Sequence, residues 1–295
     1  MLFTESKIKT GQLPSDRFKL CEEIRFPLSF RFPVSVSLFL LTSVPLFLTH
    51  ELCAGESGIR REWHVDGVLR EALIYEPSLS KTQDAPVIFI FHGHGGTMSN
   101  AARLFAYQKL WPEAICVYPQ GLKTVGRLTD PEGNKSGWQA GIGGQQDRDL
   151  KFFDAILSSL KQDHHLDDKR IYATGHSNGG GFTYVLWAAR GEVFAAVASS
   201  GATAAGVYRL LMPKPVLHVA GENDPLVKFA WQRQTIDALR RLNQCGEGQK
   251  WAEWCTQYPS TIGSPVVSFI HPGGHAFPAL AASEIVRFFK EHVKP

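Results

Sequence analysis

Residues 170–181, RIYATGHSNGGG, carry the pattern that is most informative about the fold of this chain. Its first half, RIYAT, is typical of a sheet strand, and the residues after its glycines follow a helical pattern. Between them lies GHSNG at 175–179, the G-x-S-x-G pattern of a nucleophile elbow, in which a sharp strand-to-helix turn exposes a serine. Glycines on both sides of Ser177 provide the space that such a strained turn requires. Strand, turn and helix together predict Ser177 as a nucleophile.

Strand-like and helix-like patterns alternate along the rest of the chain. Residues 87–91 (VIFIF) and 114–118 (AICVY) are apolar runs of the kind that form strands buried on both faces. This alternation predicts an α/β fold with a mostly parallel central sheet and helices on both faces. Asp66-Gly67 between two half-apolar runs predicts a hairpin. Further strands are predicted at 170–174, 194–199, 216–220 and 266–270, and helices at 101–110, 149–163, 179–190, 231–242 and 280–292.

A serine hydroxyl needs a base that removes its proton and a carboxylate that orients this base. In proteins with a nucleophile elbow, the carboxylate and then the histidine follow the serine in the chain. Asp224, in the turn GENDP after a predicted strand, is the preferred acid, and Glu222 of the same turn is the alternative. His275 lies in the flexible turn HPGGH beyond the last strand. We therefore prefer it as the base over His271, which ends that strand.

Acyl transfer also needs hydrogen-bond donors for the oxyanion of its tetrahedral intermediate. The motif FHGHGG begins at the end of the strand at 87–91, in the position of a hydrolase oxyanion loop. We expect one donor to be the amide of Asn178 and the other to be that of His94 or Gly95, between which the sequence does not decide. His92 and His94 have a spacing that suits a metal ion, but no third ligand accompanies them. The sequence therefore predicts neither a metal site nor a cofactor.

Residues 119–148 form an unusually long connection that is rich in glycine and polar groups. Connections of this length inside a compact domain are often functional. Trp138 is its largest apolar side chain. It is a candidate substrate-binding residue in a wall of the site, and the alternative is that it packs on the domain.

Composition and charge argue against a nucleic-acid partner. The chain has 295 residues, of which 44% are hydrophobic and 20% charged, as in an ordinary globular protein. Its 31 Lys and Arg residues against 28 Asp and Glu residues give a net charge of +3. The Lys and Arg residues are not clustered into a basic stripe of the kind that binds a nucleic-acid duplex.

An uncharged apolar segment at 32–49 follows basic residues and precedes small ones, which is the pattern of a secretory signal peptide. A membrane-spanning helix is the alternative interpretation. We expect the signal peptide at about 25–55, within an N-terminal extension over 1–55, and a single catalytic domain over 56–295. The protein is then secreted or periplasmic, without stable membrane insertion after cleavage.

Three cysteines belong to the predicted catalytic domain. In an oxidising compartment, Cys245 and Cys255 are expected to form a disulfide across a short loop. Cys116 lies in the apolar run AICVYP and is expected to be a buried free thiol.

With these residues placed, the chain resembles the poly(3-hydroxybutyrate) depolymerase-like and feruloyl esterase family of α/β-hydrolases. The resemblance covers about residues 86–290 and implies Ser177, Asp224 and His275 as a catalytic triad, with the oxyanion site at the HGHGG loop. The stretches that carry it are FHGHGG, VYPQG, SGWQAG, DRDLKFFDAIL, IYATGHSNGG, VLHVAGENDP and HPGGHAFP.

The same resemblance places Trp138 close to the active site and makes Asp149 a structural residue that caps a helix. It implies hydrolysis of a carboxylic ester through an acyl-enzyme, without a cofactor. The expected partner is a small-molecule or oligomeric ester with a small, aryl (feruloyl-type) or hydroxyalkanoate acyl group. The alternatives are a secreted serine peptidase or acyltransferase of the same fold, and a non-catalytic binding protein.

Overall fold

A computed structural model describes residues 58–295, which lie in one compact unit. Within this range, ten strands form one large sheet and two short strands form a second. The strands are β1 (Ile59–Val65), β2 (Val68–Tyr75), β3 (Ala85–Phe91), β4 (Ile115–Pro119), β5 (Leu122–Lys123), β6 (Ser136–Gly137), β7 (Leu166–His176), β8 (Ala196–Ser200), β9 (Val216–Gly221), β10 (Gln249–Ala252), β11 (Cys255–Tyr258) and β12 (Val266–His271). The α-helices are α1 (Met98–Phe105), α2 (Tyr107–Leu110), α3 (Arg148–Asp163), α4 (Asn178–Arg190), α5 (Phe229–Leu242) and α6 (Ala281–Lys290).

The large sheet has the strand order β1-β2-β4-β3-β7-β8-β9-β12-β11-β10. The six strands from β4 to β12 in this order pair in parallel with one another. The two strands at each edge pair antiparallel. The predicted mostly parallel sheet is therefore confirmed.

Hydrophobic cores lie on both faces of this sheet, because successive side chains of a strand point to opposite sides. In β3, Phe89 and Phe91 belong to one core, and Ile88 and Ile90 belong to the other. Helices α3, α4 and α5 contribute to the first core, and α1, α2 and α6 contribute to the second. The prediction of helices on both faces is confirmed.

Two local predictions have different outcomes. The hairpin at Asp66-Gly67 is present, with both residues at positive φ (50° and 78°), as a tight two-residue turn requires. The single helix predicted over 101–110 is split in two, because Ala106 adopts a left-handed conformation with φ 49°. Tyr107, which begins α2, donates its amide to the Tyr118 hydroxyl at 3.1 Å. The helical periodicity of the sequence does not predict this hydrogen bond, because its partner lies outside the helical segment.

The predicted disulfide is wrong, since Cys245 and Cys255 are both free thiols. Cys255 belongs to the core on the α6 side of the sheet, whereas Cys245 packs against the core on the opposite side. A disulfide requires the two β-carbons to lie about 4 Å apart, which this arrangement does not provide. Burial raises the pKa of the Cys255 thiol to about 12. Cys116 is a buried free thiol, as predicted.

The N-terminal predictions concern residues that the structure does not describe. The extension and signal peptide predicted over 1–55 lie outside the described range. No helix within residues 58–295 has the length and apolar character that a membrane crossing needs.

The site is positioned by the carboxyl ends of the parallel strands, where ligands of open α/β sheets usually bind. Strand β7 ends at His176 and α4 begins at Asn178, so Ser177 alone forms the turn between them. Strands β3, β8, β9 and β12 run parallel to β7, so the chain segments that follow them begin at the same edge of the sheet as Ser177.

Candidate active site

Ser177 occupies a strained turn, with φ 56° and ψ −122°. Positive φ is rare for a residue with a β-carbon and is concentrated at functional sites. The flanking glycines make the turn possible. A β-carbon on Gly175 would collide with the carbonyl of Gly179, and one on Gly179 would collide with the carbonyl of Phe91.

A continuous chain of hydrogen bonds joins the three residues predicted as a triad. Ser177 Oγ lies 2.8 Å from His275 Nε2, and His275 Nδ1 lies 2.8 Å from Asp224 Oδ2. The carboxylate is almost wholly buried, whereas the imidazole is partly exposed. The structure thus brings together side chains that lie 98 and 51 residues apart in the chain.

Three further donors hold the Asp224 carboxylate. The amides of Leu226 and Val227 donate to Oδ1 at 2.8 Å and 2.9 Å, and Gln232 Nε2 donates to Oδ2 at 3.1 Å. The two amides form a local turn of the kind that aspartate side chains favour, and the sequence GENDP could have indicated it. Gln232 is a fully buried residue of α5, and no sequence signal pointed to it.

Glu222, the alternative acid, and His271, the alternative base, do not belong to this chain of hydrogen bonds. Glu222 is exposed, although it stands in the same turn as Asp224. His271 is buried, and its Nδ1 accepts a hydrogen bond of 3.1 Å from the amide of Gly273. His271 therefore shapes the turn that carries His275.

His176 packs directly against His275, with 4.9 Å between the ring centroids. Burial, together with the neighbouring His275, lowers the pKa of His176 to about 4. Its Nδ1 lies 3.1 Å from Ser200 Oγ. Near neutral pH, His176 is therefore an uncharged neighbour that does not repel a protonated His275.

The loop after β3 lies against the nucleophile turn, since a β-carbon on Gly93 would be 3.5 Å from Ser177 Cβ. The amide of Gly95 donates to the Ser136 carbonyl at 2.7 Å. Within residues 58–295, no acceptor is paired with the amide of His94 or with that of Asn178. Of the two donors that the sequence left open, Gly95 is thus occupied and His94 is available.

The interpretation of Trp138 as a substrate-binding residue is wrong. Only 1% of the residue is exposed, and its ring stacks on Phe182 at 5.4 Å. The indole donates to the His92 carbonyl at 2.9 Å. The backbone amide of Trp138 donates to Asn178 Oδ1 at 2.7 Å, and Asn178 Nδ2 donates to the Trp138 carbonyl at 3.1 Å. Trp138 packs on the domain and links the loop after β3 to the nucleophile turn.

The rings of His92 and His94 face different partners. His92 Nε2 accepts a hydrogen bond of 3.0 Å from the amide of Gly121, and its Nδ1 lies 2.8 Å from the Gly93 carbonyl. Burial lowers the pKa of His92 to about 4. His94 Nε2 lies 3.3 Å from Asp130 Oδ2. Both rings thus contribute to the structure of the loops around Ser177.

A pocket of about 290 Å³ opens above Ser177. One wall comes from residues 125–129 and from Ala140, all within the long connection at 119–148. The other wall comes from residues 201–203 after β8 and from 226–227 after β9. The connection does form a wall of the site, but through residues other than Trp138.

Asp149 is structural, but it does not cap α3. Its buried carboxylate pairs with Arg70 at 2.8 Å and accepts the amide of Gln139 at 2.8 Å. The residue before α3 is Asp147, and its side chain makes no capping hydrogen bond. Asp149 thus ties the long connection to the start of α3 and to β2.

The dienelactone hydrolase family matches residues 71–245 of this chain. The chain is 30% identical to feruloyl esterase D of Neurospora crassa over 216 residues, which cover 64% of this chain and 67% of that protein. It is 31% identical to a probable feruloyl esterase C of Aspergillus oryzae over 148 residues, or 48% of this chain and 50% of that protein. It is 26% identical to a bifunctional acetylxylan esterase/xylanase of Neocallimastix patriciarum over 198 residues, or 66% of this chain and 27% of that protein.

The chain therefore spans between about a quarter and two thirds of the length of these curated relatives. The resemblance to feruloyl esterases that the motifs indicated is confirmed. Among solved structures, the acetyl xylan esterase from Aspergillus awamori superposes with a TM-score of 0.59 at 14% identity, covering 79% of this chain and 99% of that one. At this identity the likeness concerns the fold, and it confirms the predicted α/β-hydrolase fold.

Proposed function

The chain belongs to the dienelactone hydrolase family, and on that premise we propose that it is a serine carboxylic-ester hydrolase with Ser177, His275 and Asp224 as its catalytic residues. The observation that carries the proposal is the unbroken hydrogen-bonded chain from Ser177 Oγ through the His275 ring to the Asp224 carboxylate. Such a chain activates a hydroxyl that is otherwise a poor nucleophile.

In the first step, Ser177 Oγ attacks the ester carbonyl carbon while His275 Nε2 takes its proton. Asp224 keeps the imidazole in the tautomer that leaves Nε2 free to accept this proton, and it stabilises the imidazolium that forms. The carbonyl oxygen becomes an oxyanion, which accepts hydrogen bonds from the amides of Asn178 and His94. One donor of this kind contributes about 3–4 kcal/mol to transition-state stabilisation in other hydrolases.

The tetrahedral intermediate then collapses. The bond between the carbonyl carbon and the alcohol oxygen breaks, and the alcohol leaves with the proton from His275. The acyl group stays on Ser177 as an ester. Water, deprotonated by His275, attacks this acyl-enzyme, releases the carboxylic acid and restores the serine.

The relatives named feruloyl esterase and acetylxylan esterase indicate the esters to be tested first. A pocket of about 290 Å³ suits a small or a single-ring acyl group. We therefore propose small aliphatic and aryl (feruloyl-type) esters as substrates. A panel of acetate, ferulate and 3-hydroxybutyrate esters of one alcohol would rank the acyl groups by kcat/KM.

Hydrolysis of p-nitrophenyl acetate tests the proposal, and Ser177→Ala should lower kcat by about 10⁴-fold or more. The control is Ser283→Ala, which removes an exposed hydroxyl of α6 and should leave kcat unchanged. A fluorophosphonate should label the wild-type protein but not Ser177→Ala. Equal activity in the wild-type protein and in Ser177→Ala would contradict the mechanism. Absence of labelling of the wild-type protein would favour a non-catalytic binding protein. Cleavage of a peptide substrate with no ester hydrolysis would favour the peptidase alternative.

Export is a separate part of the proposal, because it concerns residues that the structure does not describe. If the segment at about 25–55 is a signal peptide, the protein recovered outside the cytoplasm should begin near residue 56. Sequencing of its N-terminus would decide this point.

A further inference from the structure

We propose that three buried polar side chains form a series of hydrogen bonds that positions the Asp224 carboxylate for the reaction. They are Gln232 of α5, His218 of β9 and Tyr184 of α4, and none of them has exposed surface. We call these three residues the positioning series. The inference rests on the ester hydrolysis proposed above, and it assigns a role to side chains that do not touch the substrate.

Gln232 contacts the carboxylate oxygen that the catalytic base also uses. Its Nε2 donates to Asp224 Oδ2 at 3.1 Å, and His275 Nδ1 lies 2.8 Å from the same oxygen. Gln232 Nε2 also donates to the Val227 carbonyl at 2.6 Å. Carboxylate and carbonyl oxygens only accept hydrogen bonds, so both contacts require the nitrogen end of the amide. The other end of the amide, Oε1, therefore needs a donor of its own.

His218 is the residue that supplies this donor. Its Nε2 and Gln232 Oε1 are both buried, and neither meets a partner at ordinary hydrogen-bond geometry within residues 58–295. The two side chains nevertheless interact. Burial lowers the pKa of His218, and a side-chain hydrogen bond with Gln232 partly opposes this effect. We therefore assign the two atoms to each other, in a contact that is less ideal than the other bonds of the positioning series.

The charge of Asp224 fixes the direction of every bond in the positioning series. Because Gln232 Oε1 is an acceptor, His218 Nε2 must carry the ring proton, and Nδ1 is left with a lone pair. The Tyr184 hydroxyl lies 2.6 Å from His218 Nδ1 and donates to it. Each side chain thus donates to the next, and the last one donates to the carboxylate. Hydrogen bonds aligned in this way polarise and strengthen one another.

Stability alone does not account for polar groups at these buried positions. Apolar side chains of similar size would fill the space without the cost of removing polar groups from water. The side chain of Asp224 is only 1% exposed, and it must keep its charge and orientation while His275 gains a proton. Fixed dipoles in a site without water stabilise such a charge effectively. The positioning series should therefore act on kcat rather than on KM.

Three variants of the full chain test this inference, with p-nitrophenyl acetate as the substrate. Gln232→Met keeps the length of the side chain but removes the donor to Asp224, so kcat should fall about 10–100-fold with KM nearly unchanged. His218→Phe keeps a flat ring without its N–H and should lower kcat about fivefold. Tyr184→Phe should lower it about twofold. The loss should decrease with distance from the carboxylate, and an unchanged kcat in Gln232→Met would overturn the inference.

A double variant tests whether His218 acts through Gln232. If it does, adding His218→Phe to Gln232→Met should cause no further loss of kcat, whereas losses that multiply would overturn the inference. The matched control is Ser268→Ala. Ser268 stands opposite His218 on the neighbouring strand β12 and is also buried, but it forms no hydrogen bond with the positioning series. This variant should keep the wild-type kcat. A loss as large as that of His218→Phe would mean that packing of this region, and not the series, sets kcat.

A spectroscopic measurement separates this inference from the proposed function. Nitrogen-15 NMR of the full chain near neutral pH should show an uncharged His218 ring with its proton on Nε2. Gln232→Met should shift the Nε2 resonance, because the acceptor of this proton is removed. If this tautomer and shift are seen but no ester is hydrolysed, the proposed function fails and the hydrogen-bonded series stands. If esters are hydrolysed but the proton is on Nδ1, the positioning series fails alone.

Discussion

At the scale of single residues, hydrogen-bond donors distinguish Asp224 from the other carboxylate of its turn. Two backbone amides and Gln232 hold the Asp224 carboxylate, and His275 completes the set. Glu222 is exposed. A carboxylate that is buried and fully hydrogen-bonded has a fixed orientation. A carboxylate with a fixed orientation can hold the imidazole of the base in the position that catalysis requires.

Asp224→Asn should therefore lower kcat by about 10³–10⁴-fold, because an amide favours the wrong tautomer of His275. The matched control is Glu222→Gln, which makes the same chemical change two residues away and should leave kcat unchanged. Hydrolysis of p-nitrophenyl acetate provides both values, and circular dichroism checks the fold. If Glu222→Gln caused the larger loss, Asp224 would not be the acid.

The residues around Ser177 differ in how far the sequence could predict them. Ser177, Asp224 and His275 stand in motifs whose order and position relative to strands are informative. The sequence leaves the position of Trp138 undecided, because a large aromatic side chain in a long connection can face either a ligand or the core. Only its contacts with Phe182 and with the His92 carbonyl decide that it faces the core.

At the scale of elements, the long connection at 119–148 supports the oxyanion loop from two directions. The Asn178 side chain exchanges two hydrogen bonds with the backbone of Trp138, in the manner of a paired strand. The indole of Trp138 reaches the His92 carbonyl on the other side. The connection therefore sets the distance between the amides of Asn178 and His94, the two proposed oxyanion donors.

Asn178→Ala keeps the backbone amide but removes this link, so we expect kcat to fall about tenfold, less than the loss of a whole donor. KM should change less, because the link acts on the transition state rather than on ground-state binding. Asn134→Ala, on an exposed part of the same connection, is the control and should leave both constants unchanged. A rise in KM with kcat unaltered would contradict a role in holding the donors.

The break between α1 and α2 also has an expected energetic consequence. Ala106 adopts φ 49°, which costs a residue with a β-carbon about 1–2 kcal/mol. Ala106→Gly should therefore raise the free energy of unfolding by up to about 1 kcal/mol, after the greater entropy of glycine in the unfolded chain is subtracted. Ala188→Gly, in the regular helix α4, should lower it by about 1 kcal/mol. Urea denaturation measures both, and a destabilised Ala106→Gly would argue against the strain.

At the scale of the whole molecule, buried histidines make the stability of the folded chain depend on pH. Burial lowers the pKa of His92, His176 and His218 from 6.5 to about 4 in each case. The unfolded chain therefore binds protons at these groups at a higher pH than the folded chain does. The stability they contribute is fully present above about pH 6.5 and is lost as the pH falls towards 4.

We accordingly expect the free energy of unfolding to decrease between pH 6.5 and 4, by at most about 3 kcal/mol for each of these histidines. His218 is fully buried in β9 and lies 2.6 Å from the Tyr184 hydroxyl. His218→Gln should make the decrease shallower, whereas the exposed His165→Gln should not. Urea denaturation across this pH range measures the slope. A slope unchanged in His218→Gln would contradict the prediction.

Local sequence patterns suffice to predict the alternation of strands and helices, the turn at Ser177 and the candidates Asp224 and His275. These features are local, since periodicity, glycine placement and turn residues express the preferences of neighbouring backbone units. Other features are visible only in the folded chain. There Trp138 is buried, the Gly95 amide is occupied, and Cys245 and Cys255 lie on opposite faces of the sheet. Each of these depends on contacts between segments that are far apart in the chain, and such contacts exist only once the sheet has assembled.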